Sequence, residues 1–253
     1  MKKKPNIIFI ICLIVLIAAV LTVVIYQINK KNNEQSYEDL AAEVTEEISS
    51  PAEPQPETSG PQIPIDFAAL QEKNADAYAW ICIPDTQVDY PVLQSASDVD
   101  YYLDHTFEGA QGLPGALYTQ YNYNSNAFED PVTVIYGHNM RDDSFFGGLA
   151  DYLEEDFRNS HREILVYTPE HIYHYRVAFA VTYDDRLILG SYNCGEPAGV
   201  DAFLTSIQTE RMLPSWIEEP FTVTGEDHLI VLSTCNGNST QRFLVGAVLE
   251  EKE

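Results

Sequence analysis

Basic residues are scarce in this chain of 253 residues, and their distribution is uneven. Lysine and arginine total 14 against 39 aspartate and glutamate residues, which gives a formal net charge of −25. Five of the basic residues precede residue 32, where no acidic residue occurs, so nine remain in the rest of the chain. Because nucleic acids are bound by clustered positive charge, this composition excludes DNA and RNA as partners. We expect so acidic a body to stay soluble and monomeric.

Cysteine is also rare, with four residues in the chain. Cys12 lies within an apolar N-terminal run, which leaves Cys82, Cys194 and Cys235 outside it. An odd number excludes a framework in which every cysteine is paired, although a Cys82–Cys194 bond remains compatible with the sequence. One exported thiol therefore stays free or pairs with another chain, and an unpaired thiol there is a candidate reactive group.

Charged residues are absent from Ile7–Tyr26, which is almost entirely apolar and long enough to cross a bilayer as a helix. A cleaved signal peptide has a shorter core followed by small residues, so the run predicts an uncleaved anchor. The lysines of residues 1–6 outnumber Lys30 and Lys31, which places the N-terminus in the cytoplasm and the body outside the cell.

Large apolar residues are nearly missing from the segment that follows the anchor, and residues 27–62 are predicted to be a linker. From residue 32 onward the segment is acidic and rich in proline, serine and glutamate, so it cannot form a core. We expect an extended tether between the membrane and a single domain at residues 63–253.

The body from residue 63 to 253 is predicted to be mainly β. After a helical pattern around Asp66–Ala77, short apolar runs alternate with turn signals, and a second helix is predicted at Val200–Met212, ended by Pro214. Helices are too few for an α/β sheet, so the pattern favours a closed, mostly antiparallel barrel. The predicted strands are Ala79–Ile83, Pro131–Tyr136, Ile164–Tyr167, Ile172–Val181, His228–Leu232 and Phe243–Leu249.

Two apolar strands near the C-terminus are joined by a short polar segment that contains Asn236-Gly237, a turn-forming pair. Cys235 ends the first strand and Arg242 begins the second, so the hairpin places the two side by side at the rim of the sheet. A neighbouring cation favours the thiolate form of a cysteine and can steady an oxyanion.

His138 follows the strand Pro131–Tyr136 and precedes a polar, glycine-containing loop. A cysteine nucleophile needs a partner that holds a proton and then delivers it, and histidine titrates nearest physiological pH. Each residue also has a structural interpretation: Cys235 as a small buried hydrophobe, His138 as a turn residue, and Arg242 as a surface cation. The joint pattern favours catalysis.

These motifs resemble the active site of sortases, in the order histidine, cysteine, arginine. The matching segments are YGHNM (Tyr136–Met140) and LSTC (Leu232–Cys235), followed by Arg242. Residues 63–250 are similar to class B sortases in particular, and three further blocks carry that similarity. They are WICIPDTQVDYPVLQ (Trp80–Gln94), DVDYYLDHTFEG (Asp98–Gly109) and YGHNMRDDSFFGGLADY (Tyr136–Tyr152).

The resemblance implies an eight-stranded sortase barrel with an N-terminal helix and an inserted helix before the cysteine strand. It implies that Cys235 attacks the threonine carbonyl of a sorting signal, which is cleaved after that threonine. It also implies that His138 transfers the protons and that Arg242 binds the substrate backbone or the oxyanion. Ser233 and Thr234 are the predicted substrate contacts. The implied partners are secreted proteins with a C-terminal sorting signal and an amine of a peptidoglycan precursor or a pilin. No cofactor and no metal are expected.

Two other functions remain open at this point. In a cell-wall cysteine hydrolase, water would resolve the thioester, but the papain-like version has its cysteine before its histidine. In a non-catalytic surface module, Cys235 would be inert. A metal pair at His171 and His174 is disfavoured because residues three apart on a strand point to opposite faces.

Overall fold

The computed structural model describes residues 7–45 and 61–253. It contains two compact units, one ending at Ala42 and the other running from Glu43 to Glu253. The described part of the first unit lies within one helix, α1, which spans Ile7–Val44. By length and composition α1 is able to cross a membrane, a property it shares with signal sequences. Residues 1–6 lie outside the described residues.

Helix α1 continues well beyond Tyr26, where the sequence predicts the anchor to end. Residues 27–44 are helical, whereas the sequence predicted an extended tether there. The physical reason is local composition, because this stretch contains neither proline nor glycine and ten of its eighteen residues are Gln, Glu, Lys, Ala or Leu, which favour a helix. Residues 46–60, which carry three of the four prolines of the predicted linker, lie outside the described residues.

Eight strands of the second unit form a closed barrel in the order β5-β1-β2-β3-β4-β8-β9-β6, closed by pairing of β5 with β6. Strand β7 lies at the edge of the sheet and pairs with β6. Most pairings are antiparallel, while β2 with β3 and β4 with β8 are parallel. The predicted closed eight-stranded barrel is therefore confirmed. The strands are β1 Ala77–Cys82, β2 Asp89–Leu93, β3 Leu117–Tyr118, β4 Val132–Tyr136, β5 Glu163–Tyr167, β6 Ile172–Asp184, β7 Met212–Ile217, β8 Leu229–Cys235 and β9 Gln241–Lys252.

Both predicted helices of the body are present, the first shorter than predicted and the second of the predicted length but three residues earlier in the chain. The first is capped by Asp66, whose carboxylate accepts the backbone N–H of Ala69 at 3.0 Å. The second ends at Thr209, so Met212 belongs to β7 and not to the helix, as a correction to the prediction, and Pro214 lies within β7 instead of ending the helix. Pro214 is tolerated there because β7 is an edge strand. The helices are α2 Phe67–Lys73, α3 Glu155–Ser160, α4 Ile188–Ser191 and α5 Pro197–Thr209, with short 3-10 helices at Tyr101–Leu103 and Gly147–Leu153.

A hydrophobic cluster joins the barrel interior to α5. The buried face of this helix is formed by Val200, Phe203, Leu204, Ser206 and Ile207, and its apolar members pack with side chains of β4, β6, β8 and β9. Cys194 is buried in the same cluster. All four cysteines are free thiols, so the Cys82–Cys194 bond that the sequence left open is not formed.

Candidate active site

The parallel pairing of β4 with β8 brings His138 and Cys235 to the same edge of the barrel. Tyr136 is in register with Ser233, and the backbone N–H of Gly137 donates to the carbonyl of Ser233 at 3.2 Å. His138 and Cys235 each lie two residues beyond this paired position, so the two segments of the chain that carry them run side by side at this edge. Residues almost one hundred positions apart in sequence thus become neighbours.

Cys235 and Arg242 are direct cross-strand partners in the β8–β9 hairpin, as the sequence pattern predicts. The turn is shaped by Gly237, whose φ of 87° favours glycine, and by a 3.0 Å hydrogen bond from Asn236 Nδ2 to Gln241 Oε1. Cys235 is solvent-exposed and Arg242 is half-buried. The hairpin therefore presents a reachable thiol beside a fixed cation.

The Arg242 guanidinium is oriented by the main chain of the hairpin. Its Nη1 donates to the carbonyls of Gln241 at 2.8 Å and Ser239 at 3.4 Å. Within the described part of the chain, Nε and Nη2 have no hydrogen-bond partner and no carboxylate is paired with this side chain. A guanidinium carries five N–H donors in a planar fork, so donors remain for a substrate oxygen.

The His138 ring is held by a backbone carbonyl. Its Nε2 lies 2.6 Å from the carbonyl oxygen of Leu103, at the end of the 3-10 helix Tyr101–Leu103. Since a carbonyl oxygen only accepts, Nε2 carries the hydrogen in this bond, and Nδ1 is the nitrogen left to exchange a proton. The orientation and tautomer of the ring are therefore set by main chain from another part of the barrel.

Side-chain hydrogen bonds further tie the histidine loop to the cysteine strand. The Thr234 hydroxyl donates to the carbonyl of Gly137 at 2.8 Å, and Asn139 Nδ2 donates to the carbonyl of Cys235 at 2.6 Å. Ser233 and Thr234, the predicted substrate contacts, are both buried, and the Thr234 hydroxyl is already engaged in this contact. These bonds fix the backbone of His138 relative to that of Cys235.

A cavity of about 220 Å³ is lined by all five predicted site residues, which are His138, Cys235, Arg242, Ser233 and Thr234. The cavity is also lined by the end of β6 and the residues after it, where Arg186 donates to the carboxylates of Asp184 and Glu210. Hydrogen bonding to Arg186 lowers the pKa of Asp184. The other lining residues are Asp100, Leu103, Ala116, Tyr118, Gln120, Tyr136, Gly137, Asp185, Leu187, Ile188 and Leu244.

The other two thiols of the body are poor nucleophile candidates. Burial, followed by the charge of Asp89, raises the pKa of Cys82 to about 12, and burial raises the pKa of Cys194 to about 11. The thiolate is the reactive form, so these cysteines are protonated and unreactive at neutral pH. Cys235 is the body's one exposed cysteine in the described residues.

Sequence reasoning missed the groups that orient the ring of His138. The Leu103 carbonyl is a main-chain atom and leaves no side-chain signal. The sequence offers a partial signal in Pro114-Gly115, a pair typical of turns, and in the structure Gly115 has a φ of 66°. A Cβ at Gly115 would lie 2.8 Å from the carbonyl oxygen of Leu103 and 3.3 Å from His138 Cδ2. Only a glycine fits at this point without displacing its neighbours.

The histidines at 171 and 174, considered as a metal pair, are occupied by other partners. His171 Nδ1 lies 3.1 Å from the main-chain oxygen of Glu253, and His174 Nδ1 lies 2.9 Å from the Glu163 carboxylate. In the described ranges, no three or more His, Cys, Asp or Glu side chains cluster as a metal-binding group.

Comparison with known proteins identifies the arrangement. The sortase domain family matches residues 81–250. Sortase B of Listeria monocytogenes serovar 1/2a is 34% identical over 66% of this chain and 65% of its own length. The match therefore spans just under two thirds of that relative. Sortase B of Staphylococcus aureus is 27% identical over 98% of this chain and 97% of its own. The crystal structure of sortase B from B. anthracis superposes with a TM-score of 0.70 at 28% identity, covering 88% of this chain and 99% of that one.

Proposed function

Since the chain belongs to the sortase family, as a cysteine transpeptidase of the sortase B class, we propose that Cys235 is its nucleophile, His138 its acid and base, and Arg242 its oxyanion-binding group. The observation that carries this assignment is the shared cavity, which these three side chains line together at one end of the barrel. Cys235 and Arg242 are adjacent, and the His138 ring presents Nδ1 for proton exchange.

In the first half of the proposed reaction, the Cys235 proton passes to His138 Nδ1, and Sγ attacks the carbonyl carbon of a threonine in the sorting signal. The new C–S bond leaves a negative charge on the carbonyl oxygen. Arg242 stabilises that charge through its free N–H donors. The peptide C–N bond then breaks, and the proton on Nδ1 moves to the leaving amine, which leaves a thioester on Cys235.

In the second half, an acceptor amine attacks the thioester carbonyl and forms a new amide bond. His138 Nδ1 takes the proton that the amine loses, and Sγ departs and regains a proton from the histidine. Arg242 again faces the oxyanion of the tetrahedral intermediate. The cycle returns the enzyme to its starting state without a cofactor.

The proposed substrates are secreted proteins that carry a C-terminal sorting signal cleaved after threonine. The acceptor is an amine of a peptidoglycan precursor, and a pilin amine would enter the same step. For the membrane arrangement we propose cytoplasmic residues 1–6, an anchor within α1 that includes residues 7–26, and a link through residues 27–62. The catalytic domain at residues 63–253 then lies on the extracellular face, where its acidic composition keeps it soluble.

The test follows peptide cleavage and transfer by the full-length chain in detergent micelles. Threonine-containing sorting peptides are incubated with an amine such as triglycine, and mass spectrometry distinguishes the ligated from the hydrolysed product. Cys235→Ala is expected to abolish both products. Cys82→Ala is the matched control, since it removes a protonated thiol outside the cavity and is expected to retain activity.

Two results would count against the proposal. Unchanged turnover by Cys235→Ala would remove the nucleophile from its assigned role. Hydrolysed product alone, at saturating amine, would instead identify the enzyme as a cysteine hydrolase.

A further inference from the structure

Another cavity, of about 560 Å³, shares no lining residue with the cavity of Cys235. It is lined by residues of α3, β6 and β7 and of the segments that follow α3 and β7. Nine basic residues lie beyond residue 31, and three of them line this cavity: Arg158, Arg162 and Arg176. Positive charge is therefore concentrated at one place in a body that is otherwise strongly acidic.

The indole ring of Trp216 brings two of these cations together. Cζ of Arg158 lies 4.9 Å from the centroid of the ring, and Cζ of Arg162 lies 5.9 Å from it. Cation–π contact of this kind stabilises each guanidinium group at the ring. The two groups carry the same charge, so an anion that contacts both would offset their repulsion.

Most N–H donors of the two guanidinium groups remain open. Nη1 of Arg158 donates to the carbonyls of Leu153 at 2.7 Å and Tyr152 at 3.4 Å, which fixes this side chain against the main chain. Within the described ranges, Nε and Nη2 of Arg158 and all three nitrogens of the Arg162 guanidinium have no hydrogen-bond partner, and no carboxylate forms an ion pair with either arginine. A guanidinium group only donates, so a matching ligand must supply acceptors.

Three carboxylates also line the cavity, and they leave the two arginines at Trp216 without a counter-ion. The side chain of Glu218 is only 12% exposed and pairs with Arg176, so this acid and this base neutralise each other. Glu155 and Glu219 are solvent-exposed, where water and salt screen their charge. The open charge in the cavity is therefore that of the arginine pair.

We propose that Arg158, Arg162 and Trp216 form a binding site for a phosphate group, separate from the catalytic cavity. One guanidinium fork is enough for a carboxylate, whereas a phosphate group has the additional oxygens that a second fork requires. The group reaches the site either as the headgroup of an anionic lipid or as part of a soluble phosphate ester, and the same donors recognise both. Binding here leaves the cavity of Cys235 open, because the two cavities have no lining residue in common.

Binding is measured on the full-length chain in nanodiscs of neutral phosphatidylcholine, which are titrated with glycerol 3-phosphate. The reporter is the emission of Trp216, since Trp80, the other tryptophan of the chain, is fully buried. Wild type is expected to respond saturably, and Arg158→Gln and Arg162→Gln are each expected to bind about tenfold more weakly because charge-assisted hydrogen bonds are lost. Arg141→Gln is the matched control, because it removes an equal charge from an exposed arginine outside the cavity, and it is expected to bind like wild type.

The two sources of phosphate are separated by the composition of the nanodisc. If the lipid headgroup reaches the site, adding phosphatidylglycerol to the nanodisc changes the Trp216 emission in wild type and not in Arg162→Gln, and it weakens the response to glycerol 3-phosphate. If the lipid leaves the emission unchanged while glycerol 3-phosphate still binds, the ligand is a soluble phosphate ester. Either result supports the phosphate site.

Three results would overturn it. The first is the absence of a saturable response to both probes, and the second is a response that Arg162→Gln retains in full. The third is equal binding of acetate, which would show a general attraction of anions and no site for phosphate. Arg162 decides the test if Arg158→Gln fails to fold, because its side chain is exposed and makes no hydrogen bond within the described ranges.

Discussion

Replacing Gly115 with alanine is expected to impair catalysis through the position of His138. At a φ of 66°, alanine is strained by about 1–2 kcal/mol. Its Cβ would also lie 2.8 Å from the carbonyl oxygens of Tyr102 and Leu103, closer than real Cβ contacts allow, and 3.3 Å from His138 Cδ2. The Leu103 carbonyl must therefore move, and with it the acceptor that orients the histidine ring.

The expected result is a fall in kcat of about tenfold to a hundredfold, because small misplacements of a catalytic group are costly. Gly109→Ala is the matched control, since Gly109 has a similar φ of 78° but its Cβ would approach only the Tyr101 hydroxyl, at 3.4 Å. Both variants are expected to unfold at a lower temperature by a comparable amount, while only Gly115→Ala loses most of its turnover.

The assay combines thermal unfolding with steady-state cleavage of a threonine-containing peptide. If Gly115→Ala and Gly109→Ala lost activity equally at equal stability, the clash with the Leu103 carbonyl would have no specific effect on kcat. The account of how the histidine is oriented would then be wrong.

Three further predictions concern the surroundings of the site. Asn139→Ala, which removes the bond to the Cys235 carbonyl, should lower kcat by about tenfold and leave KM nearly unchanged; an unaltered kcat would contradict this. Arg186→Met should destabilise the fold at neutral pH, since Arg186 holds the pKa of Asp184 below its ordinary value of 3.8. That difference from wild type should shrink in thermal melts as the pH falls below this value and Asp184 becomes protonated, whereas a constant difference would refute it. Iodoacetamide at neutral pH should alkylate Cys235 and spare Cys82, and mass spectrometry that found equal labelling would count against the assignment.

The hairpin that carries Cys235 and Arg242 could be predicted because its information is local. Two apolar strands and an Asn-Gly turn define the register, and the structure has Cys235 opposite Arg242. The proximity of His138 could not be predicted in the same way. It depends on the parallel pairing of β4 with β8, whose partners lie far apart in the sequence and leave no local pattern.

Other parts of the fold were mispredicted or missed for identifiable reasons. Strand β3 has only two residues, too few for a periodic pattern. Met212 lies near helical spacing with the apolar face of α5, yet the chain leaves the helix after Thr209 and pairs with β6 instead. Tertiary pairing outweighs the helical pattern at this position.

In the proposed reaction, Cys235 carries the acyl group between the two substrates. The most direct test of this role is intact-mass analysis of the full-length chain after incubation with a threonine-containing sorting peptide in the absence of amine. We expect an adduct on Cys235 with the mass of the peptide fragment that ends in threonine. The adduct should be absent in Cys235→Ala, and added amine should convert it into a ligated product. An adduct on another residue, or turnover without any dependence on Cys235, would contradict it.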